Sequence, residues 1–214
     1  MLFRSALLSV LKEVTDLGTP SRAVLGSVAE TGVCEELIAT CVDAFDGIDV
    51  MVNNAGIVRD RTLLKMTDED FDEVVAVDLR GPFLCTRAAG RVMREQGGGH
   101  IIQITSASGL VGNFGQANYC AAKLGIVGLS KAIALDMQRF GVRSNAVAPF
   151  AWTRMVSSIP TDTPEQQARV EGLQKLVPER LAPFAVAMCS DNAEHVTGQV
   201  FGVRNNEIYL FSQS

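Results

Sequence analysis

Apolar residues in this chain alternate between two spacings, one typical of helices and one typical of buried strands. From Leu7 to Leu17, apolar residues recur every three or four positions and Gly18 follows them, which predicts an amphipathic helix. Short continuous apolar runs bounded by polar residues or glycine predict buried strands. The predicted strands cover residues 23–25, 48–52, 100–105, 143–147 and 199–203.

Helical spacing separates these runs and predicts the elements that cover a sheet. The predicted helices cover residues 33–45, 68–96, 118–140 and 182–189, with Gly81-Pro82 as a candidate break in the second. Pro149 is expected to end the fourth strand, and the polar residues 157–167 are expected to form a loop. Strands that alternate with helices are typical of a parallel α/β sheet covered on both faces, whose ligands bind at the carboxyl ends of the strands.

The overall composition narrows the class of protein. The 214 residues suit one domain, and 47% hydrophobic with 20% charged residues supply an ordinary globular core. The net charge of −5 and the absence of a Lys/Arg run argue against nucleic-acid binding. Five cysteines without C-x-x-C spacing, together with only two histidines, argue against a zinc site and favour a reducing, cytoplasmic location. No apolar run is long enough to span a membrane.

Tyr119 and Lys123 carry the most chemical information. Residues four apart share one face of a helix, so these side chains lie one turn from each other. A phenol has an ordinary pKa of ~10 and is a weak acid-base catalyst at neutral pH, but a nearby ammonium stabilises the phenolate and lowers that pKa. Ser106, which follows a predicted strand, can orient a carbonyl or an alcohol beside them. The three side chains suit hydride transfer, in which one proton moves with each hydride.

A tyrosine and a lysine at this spacing also occur on solvated helix faces, so the surrounding residues decide between the two interpretations. Three polar segments each follow a predicted strand, namely residues 53–56, Ser106, and residues 149–153. Because the carboxyl ends of parallel strands meet at one edge of a sheet, these segments are expected to converge with Tyr119 and Lys123.

This combination of motifs resembles the short-chain dehydrogenase/reductase family. The resemblance rests on N-N-A-G at 53–56, Ser106, Y-x-x-x-K at 119–123 and a Pro-x-x-x-Thr turn at 149–153, in the family's order and spacing. Segments such as 57–61 and 112–119 are similar to the (3R)-hydroxyacyl-CoA dehydrogenase unit of type-2 multifunctional enzymes and to 3-oxoacyl-(acyl carrier protein) reductases. The resemblance implies a Rossmann-like doubly wound sheet, NAD or NADP as cofactor, and a 3-hydroxyacyl or 3-oxoacyl thioester as substrate.

The same resemblance implies roles for individual residues. Tyr119 would be the general acid or base, Lys123 would lower the tyrosine pKa and bind the nicotinamide ribose, and Ser106 would hold the substrate oxygen. Asn53, Ala55 and Gly56 would line the adenosine side, and Thr153 would contact the nicotinamide amide. The complete implied set is catalytic Ser106, Tyr119, Lys123 and Asp78, with Val28, Asn53, Ala55, Gly56, Pro149, Trp152 and Thr153 joining Tyr119 and Lys123 in cofactor binding.

Asp78 stands where many members of the family carry an asparagine that completes a water relay with the lysine. A carboxylate here would disfavour the nearby phenolate and so raise the pKa of Tyr119. In the alternative interpretation, Asp78 only caps a kink in the predicted helix before residues 79–81. Both interpretations stay open at the level of sequence.

The chain departs from the family pattern at its front. It contains no T-G-x-x-x-G-x-G turn, the motif whose backbone N–H groups bind the pyrophosphate. Residues 5–17 match the family's helix before its third strand, and residues 23–26 match that strand, so we expect a single Rossmann-like domain that lacks the first βαβ segment. Two functions follow: an NAD(P)-dependent oxidoreductase, or an inactive fragment or non-catalytic subunit that has lost the cofactor loop.

Two predicted helices carry more apolar surface than one sheet face needs. The residues concerned are Leu84, Ala88 and Val92 on one helix, and Ile126, Leu129 and Ile133 on the other. In the resembling family these helices form a four-helix interface, so a homodimer or homotetramer is expected. The alternative is that both faces simply cover the chain's own sheet.

Overall fold

Five strands lie side by side in chain order and form one sheet. They are β1 (Val50–Asn53), β2 (Gly99–Ile104), β3 (Val142–Phe150), β4 (Val200–Arg204) and β5 (Glu207–Leu210). The first four are parallel, and β5 runs antiparallel to β4. This computed structural model describes residues 2–152 and 163–212. The parallel arrangement places the carboxyl ends of β1, β2 and β3 at the same edge of the sheet.

Helices cover both faces of the sheet. They are α1 (Leu2–Asp16), α2 (Thr31–Phe45), α3 (Asp68–Val75), α4 (Gly81–Gln96), α5 (Ala107–Val111), α6 (Ala117–Met137), α7 (Pro164–Gln174) and α8 (Ala182–Met188). Successive residues of β2 point to opposite faces, so Ile101 packs with Met93 and Ile133 of α4 and α6, whereas Ile102 packs with Met188 of α8. This arrangement confirms the predicted α/β sheet covered on both faces.

The predicted strand at residues 23–25 was wrong, because these residues form no strand. A strand needs a neighbour whose backbone groups pair with its own. Within the described residues β1 pairs only with β2, and no strand lies on its other side for residues 23–25 to join through. The apolar residues at 23–25 indicate that this segment tends to be buried, but they do not provide the neighbouring strand with which its backbone would pair.

Pro149 does not end β3, which corrects a second prediction. The strand continues through Pro149 to Phe150, where both residues pair with β4. Pairing between β2 and β3 has already ended at Val147. Beyond that point β3 has a neighbour on one side only, so a residue without a backbone N–H is tolerated there.

The predicted helix at 68–96 is continuous but not uniform. It begins as α3, passes through a π-helical turn at Ala76–Arg80, and continues as α4 across the expected break at Gly81-Pro82. Pro82, which lacks a backbone N–H, lies directly after this π turn, whose last bond runs from the Gly81 N–H to the Ala76 carbonyl. The π turn contains Asp78, whose side chain is buried.

Two further elements differ from expectation. Residues 157–162 lie outside the described residues, but from Pro164 onward the predicted loop is helical, with Thr163 and Gln166 forming a capping box at the start of α7.

The chain beyond β4 forms the hairpin strand β5, which was not predicted. Asn205 occupies the turn at a φ of 48°, a conformation that asparagine tolerates better than most residues.

The helix faces named as a dimer surface lie mostly inside this chain. Leu84, Ile126 and Ile133 are buried, because they pack into the chain's own core. The large apolar side chains that α4 and α6 expose are Phe83, Leu124 and Leu135. The outer surface of the two helices is therefore apolar through these three residues and through the half-buried Ala88, Val92 and Leu129. None of the helices formed by residues 2–152 and 163–212 combines the length and apolarity needed to cross a bilayer.

Candidate active site

Ser106 occupies the corner between β2 and α5. It is the N-cap of α5, and its Oγ accepts the backbone N–H of Ser108 at 3.2 Å. Because this bond uses Oγ as an acceptor, the hydroxyl proton stays free to be donated elsewhere. The cap therefore fixes the serine at the carboxyl edge of the sheet while it leaves a donor available.

Tyr119 and Lys123 lie one turn apart on α6, beside that serine. The ammonium Nζ of Lys123 is 5.5 Å from the centre of the Tyr119 ring, and Lys123 is only 3% exposed. Nζ also donates to the carbonyl oxygen of Ile104, the last residue of β2, at 3.1 Å. The strand end and the helix thus hold the buried ammonium between them, next to the phenol.

Asn118 fixes the start of the same helix, and sequence reasoning assigned it no role. Its Oδ1 accepts the backbone N–H of Tyr119 at 2.8 Å, and its Nδ2 donates to the carbonyl oxygens of Arg59 and Asp70 at 3.0 and 2.9 Å. The side chain is fully buried, and its bonds to Arg59 and Asp70 join α6 to the segment after β1. Its position directly before the tyrosine was the only sequence signal.

Asp78 contacts the lysine, which favours the electrostatic interpretation of this residue over the capping one. Its carboxylate is completely buried, with Oδ2 3.2 Å from Lys123 Nζ and Oδ1 accepting the N–H of Ile57 at 2.8 Å. The helix that follows receives no cap from this side chain. Asp78 therefore places a negative charge against the Lys123 ammonium, which lies beside the phenol.

Gly56 gives this ion pair its space. A Cβ on Gly56 would lie 2.8 Å from Oδ2 of Asp78 and 3.4 Å from Nζ of Lys123. The first distance is too short for any side chain, and the neighbours are two buried charged groups that have little room to move. The glycine of the N-N-A-G motif is thus needed here for packing against the ion pair, whatever its role toward a cofactor.

We expect the substitution Gly56→Ala to destabilise the chain by about 1–3 kcal/mol, because the added methyl overpacks a buried site. Gly172→Ala is the matched control, since Gly172 lies within α7, a Cβ there meets nothing within 4 Å, and alanine favours the helix. Urea unfolding of both variants measures the difference. Equal stability of the Gly56 variant and the wild-type chain would contradict the close contact.

The surroundings of Tyr119 disfavour its ionisation. Burial is the largest effect and raises the pKa of Tyr119 to about 12, with further increases from the charges of Asp78 and Asp60. A hydrogen bond with Ser106 acts in the opposite direction and lowers this pKa. The tyrosine is therefore protonated at neutral pH and is set up as a proton donor in the structure as it stands.

The ion pair shows the same opposition between burial and charge. Burial lowers the pKa of Lys123, while the Asp78 carboxylate raises it. Burial likewise raises the pKa of Asp78, against the lowering effects of Lys123 and the Ile57 N–H. The attraction between the two charges offsets the free-energy cost of burying each of them. Removal of either group therefore leaves an uncompensated buried charge.

Three of the implied cofactor-binding residues meet in one place. Val28, Asn53 and Ala55 line a small cavity together with Gly81 and Pro82. Gly81 allows this approach, because a Cβ there would lie 2.8 Å from the Val28 side chain. Asn53 directs its amide Nδ2 inward to Thr86 Oγ1 at 3.0 Å, so its side chain supports the wall of this cavity.

The remaining implied residues follow β3. Pro149 lies within the end of that strand, and the backbone N–H of Trp152 donates to the Leu176 carbonyl at 2.7 Å. Thr153 lies outside the described residues, so its predicted contact with the nicotinamide stays a prediction. Pro149 thus lies at the carboxyl end of β3, on the same edge of the sheet as Asn53 at the end of β1 and Ser106 after β2.

A surface cavity of about 410 Å³ opens at the start of α6, where Ala117 and Cys120 line it. It is lined by two loops that meet where the Arg61 N–H donates to the Gly115 carbonyl at 2.9 Å, and by Cys120 of α6. Leu63 and Phe114 line it and remain strongly exposed. The cavity therefore offers an apolar surface at the start of the helix that carries Tyr119.

Comparisons with known proteins agree with this geometry. A family model described as Enoyl-(Acyl carrier protein) reductase matches residues 4–204. A peroxisomal multifunctional enzyme type 2 from Mus musculus is 43% identical over 194 residues, which cover 91% of this chain and 25% of that protein. A 3-oxoacyl-[acyl-carrier-protein] reductase from Synechocystis sp. is 41% identical over 197 residues, which cover 91% of this chain and 79% of that protein.

A solved structure matches the fold as well. The crystal structure of a short chain dehydrogenase from Mycobacterium avium aligns with a TM-score of 0.83 and 38% identity, covering 97% of this chain and 70% of that chain. The chain spans a quarter of the length of the mouse protein and most of the length of the two bacterial ones.

Proposed function

Because the chain belongs to the short-chain dehydrogenase/reductase family, we propose that it interconverts a secondary alcohol and a ketone by hydride transfer. Membership of this family, expected from the motifs, is confirmed by the comparisons. The observation that carries the proposed activity is the position of the buried Lys123 ammonium, 5.5 Å from the centre of the Tyr119 ring. That geometry suits a phenol whose proton is exchanged during the reaction.

We assign proton transfer to Tyr119. In ketone reduction its hydroxyl donates a proton to the substrate oxygen, and in alcohol oxidation its phenolate accepts one. Ser106 donates its free hydroxyl proton to the same substrate oxygen and holds it near the tyrosine. Lys123 stabilises the phenolate through its charge, and Asp78 opposes this by partly neutralising the lysine.

NAD or NADP is the proposed cofactor, and it would supply or accept the hydride when bound. Val28, Asn53 and Ala55 lie together at the carboxyl end of β1, where a small residue such as Ala55 would allow such a molecule to approach the backbone. Lys123 fits the ribose, since an ammonium has three donors and two are directed to Asp78 and the Ile104 carbonyl. Gly56, Pro149, Trp152 and Thr153 complete the proposed set.

A 3-oxoacyl thioester, or the 3-hydroxyacyl thioester that its reduction yields, is the proposed substrate. The name of the Synechocystis relative supports this choice, because that protein is a 3-oxoacyl reductase. The exposed apolar side chains of Leu63 and Phe114, in the cavity at the start of α6, suit contact with an acyl chain. Nucleic acid and membranes are not proposed as partners, and a cytoplasmic location stays a prediction.

The proposal is tested by titrating the folded chain with NADH and with NADPH, followed by turnover assays with 3-oxoacyl thioesters. Quenching of the fluorescence of Trp152 or enhancement of that of the cofactor reports binding. We expect saturable binding of one cofactor and substrate-dependent oxidation of it. A folded chain that binds neither cofactor would favour the alternative, a non-catalytic subunit or inactive fragment, which the raised pKa of Tyr119 also fits.

We further propose that the chain forms a homodimer or homotetramer through the outer surfaces of α4 and α6. Phe83, Leu124 and Leu135 lie exposed on these helices, and small residues at Ala121, Gly128 and Ala132 would allow a second copy to approach closely. The same surface carries Arg87, Arg91 and Asp136, which in a two-fold arrangement could pair across the interface.

We expect Leu135→Glu to convert the oligomer into monomers, because it places a charge in an apolar contact. Leu135 is 77% exposed in the single chain, so the substitution should leave the fold unchanged. Val186→Glu is the matched control, since Val186 is 69% exposed on α8 and lies away from the proposed interface. Light scattering coupled to gel filtration measures the mass of both, and an unchanged mass for the Leu135 variant would contradict the proposed surface.

A further inference from the structure

Three consecutive residues at the end of β2 contact one turn of α6. The carbonyl of Ile104 accepts a hydrogen bond from Nζ of Lys123 at 3.1 Å, and Ser106 is hydrogen-bonded to Tyr119. Between them, the hydroxyl of Thr105 donates to the backbone carbonyl of Lys123 at 2.5 Å. The first and third contacts involve side chains of the proposed machinery, whereas the second holds the backbone that carries them.

The Thr105 hydroxyl is itself firmly placed. Thr105 is 1% exposed, and its backbone N–H donates to the carbonyl of Val147 in β3 at 2.8 Å. A branched side chain on such a fixed backbone has few rotamers, so its Oγ1 can hardly move relative to the sheet. A carbonyl oxygen has two lone pairs, so the Lys123 carbonyl can accept this bond in addition to its bond within the helix.

Gly109 of α5 packs closely against the backbone of the same turn of α6. A Cβ on Gly109 would lie 2.8 Å from the carbonyl carbon of Lys123 and 2.8 Å from the backbone nitrogen of Leu124. Helix α5 therefore touches the backbone of α6 at Lys123. The lysine backbone is held between the Thr105 hydroxyl and the Gly109 backbone, while its ammonium is held by Ile104 and Asp78.

We propose that Thr105 is a positioning residue for the proposed reaction, and that its hydroxyl fixes the turn of α6 that carries Tyr119 and Lys123. This inference rests on the proposed function of those two residues. The hydroxyl sets how far the lysine ammonium lies from the phenol, and that distance determines how strongly the ammonium stabilises the phenolate. Loss of the hydroxyl lets the turn move away from the strand end.

The chain provides a matched comparison in Ser130. Its hydroxyl also ties α6 to the sheet, through a hydrogen bond with Ser144 of β3 at 2.9 Å, and both serines are buried. Ser130 lies about two turns beyond Lys123 along the helix, where it touches none of the proposed catalytic residues. A purely structural role for Thr105 therefore predicts that the two hydroxyls behave alike.

The test compares the purified variants Thr105→Val, Thr105→Ser and Ser130→Ala with the wild-type chain. We expect similar losses of thermal stability in Thr105→Val and Ser130→Ala, since each removes one buried hydrogen bond. Only Thr105→Val should lower kcat, by about 10-fold with little change in KM, because misplacement of reacting groups is costly. It should also move the alkaline inflection of the oxidation rate to higher pH, and Thr105→Ser should restore both quantities.

Amide hydrogen exchange provides a readout that does not depend on turnover. Thr105→Val should increase exchange in the turn from Tyr119 to Lys123, whereas Ser130→Ala should leave that turn protected. Unchanged exchange there, or equal kinetic losses in Thr105→Val and Ser130→Ala, would overturn the inference. A folded but inactive wild-type chain would instead overturn the proposed function, and the exchange data alone would then decide whether Thr105 holds this turn.

Discussion

Replacing Tyr119 with phenylalanine should lower the turnover of a 3-oxoacyl thioester by about 10³-fold, within the usual range for loss of a general acid. The substitution removes the hydroxyl that donates the proton and leaves the ring, whose packing beside Lys123 does not require the oxygen. The fold should therefore persist, and cofactor binding should change little. Steady-state kinetics at neutral pH measures the loss, and circular dichroism confirms the fold.

Tyr209→Phe provides the control for this experiment. The chain contains two tyrosines, and Tyr209 lies on the exposed strand β5, where its hydroxyl bonds only to Glu207 at 2.9 Å among the described contacts. We expect that variant to retain wild-type turnover. A Tyr119 variant that works as fast as the wild-type chain would remove this residue from the mechanism, and with it the proposed proton transfer.

The central part of this site could be predicted from sequence because it depends on local spacing. Tyr119 and Lys123 meet because they are four apart on a helix, and Ser106 joins them because it follows a parallel strand. Neither relation requires knowledge of distant contacts. The same is true of the four parallel strands, each of which appears in the sequence as an apolar run between helical segments.

The parts that sequence could not provide depend on contacts between distant segments. The pattern at residues 68–96 predicts a helix with a candidate break at Gly81-Pro82, and it does not indicate the π turn at Ala76–Arg80, which contains the Asp78 that contacts Lys123. The sequence motif assigns Gly56 to cofactor binding. In the structure, its lack of a side chain leaves room for the ion pair between Asp78 and Lys123. Residues 23–25 are apolar enough for a strand, but strand formation depends on a neighbour that apolarity does not specify.

The substitution Asp78→Asn should accelerate alcohol oxidation near neutral pH, which is unusual for a change in a buried catalytic site. The charge of Asp78 raises the pKa of Tyr119, so its removal lowers that pKa, although burial continues to hold it up. In oxidation the phenolate is the active form. Below the tyrosine pKa, each unit by which that pKa falls raises the phenolate fraction and the rate about tenfold.

The direction of reaction and the pH range distinguish this effect from a general change in the enzyme. We expect kcat/KM for oxidation of a 3-hydroxyacyl thioester to rise about tenfold at pH ~7–9 and its alkaline inflection to move to lower pH. Reduction should change little there, because protonated tyrosine is already the dominant form. The gain should end where Lys123 loses its proton, since removal of Asp78 also removes a contact that raises the pKa of that lysine.

The variant Asp60→Asn is the control for this experiment. It removes another negative charge that acts on Tyr119 and leaves the buried Asp78–Lys123 ion pair intact. Asp60 also raises the pKa of Tyr119, but its influence is smaller than that of Asp78 and its side chain is exposed. We therefore expect a shift in the same direction and of smaller size. An oxidation profile that stays in place in Asp78→Asn, or moves to higher pH, would show that the carboxylate does not oppose phenolate formation. Asp78 would then serve to make burial of Lys123 possible, and the asparagine variant should show its main effect as a loss of stability.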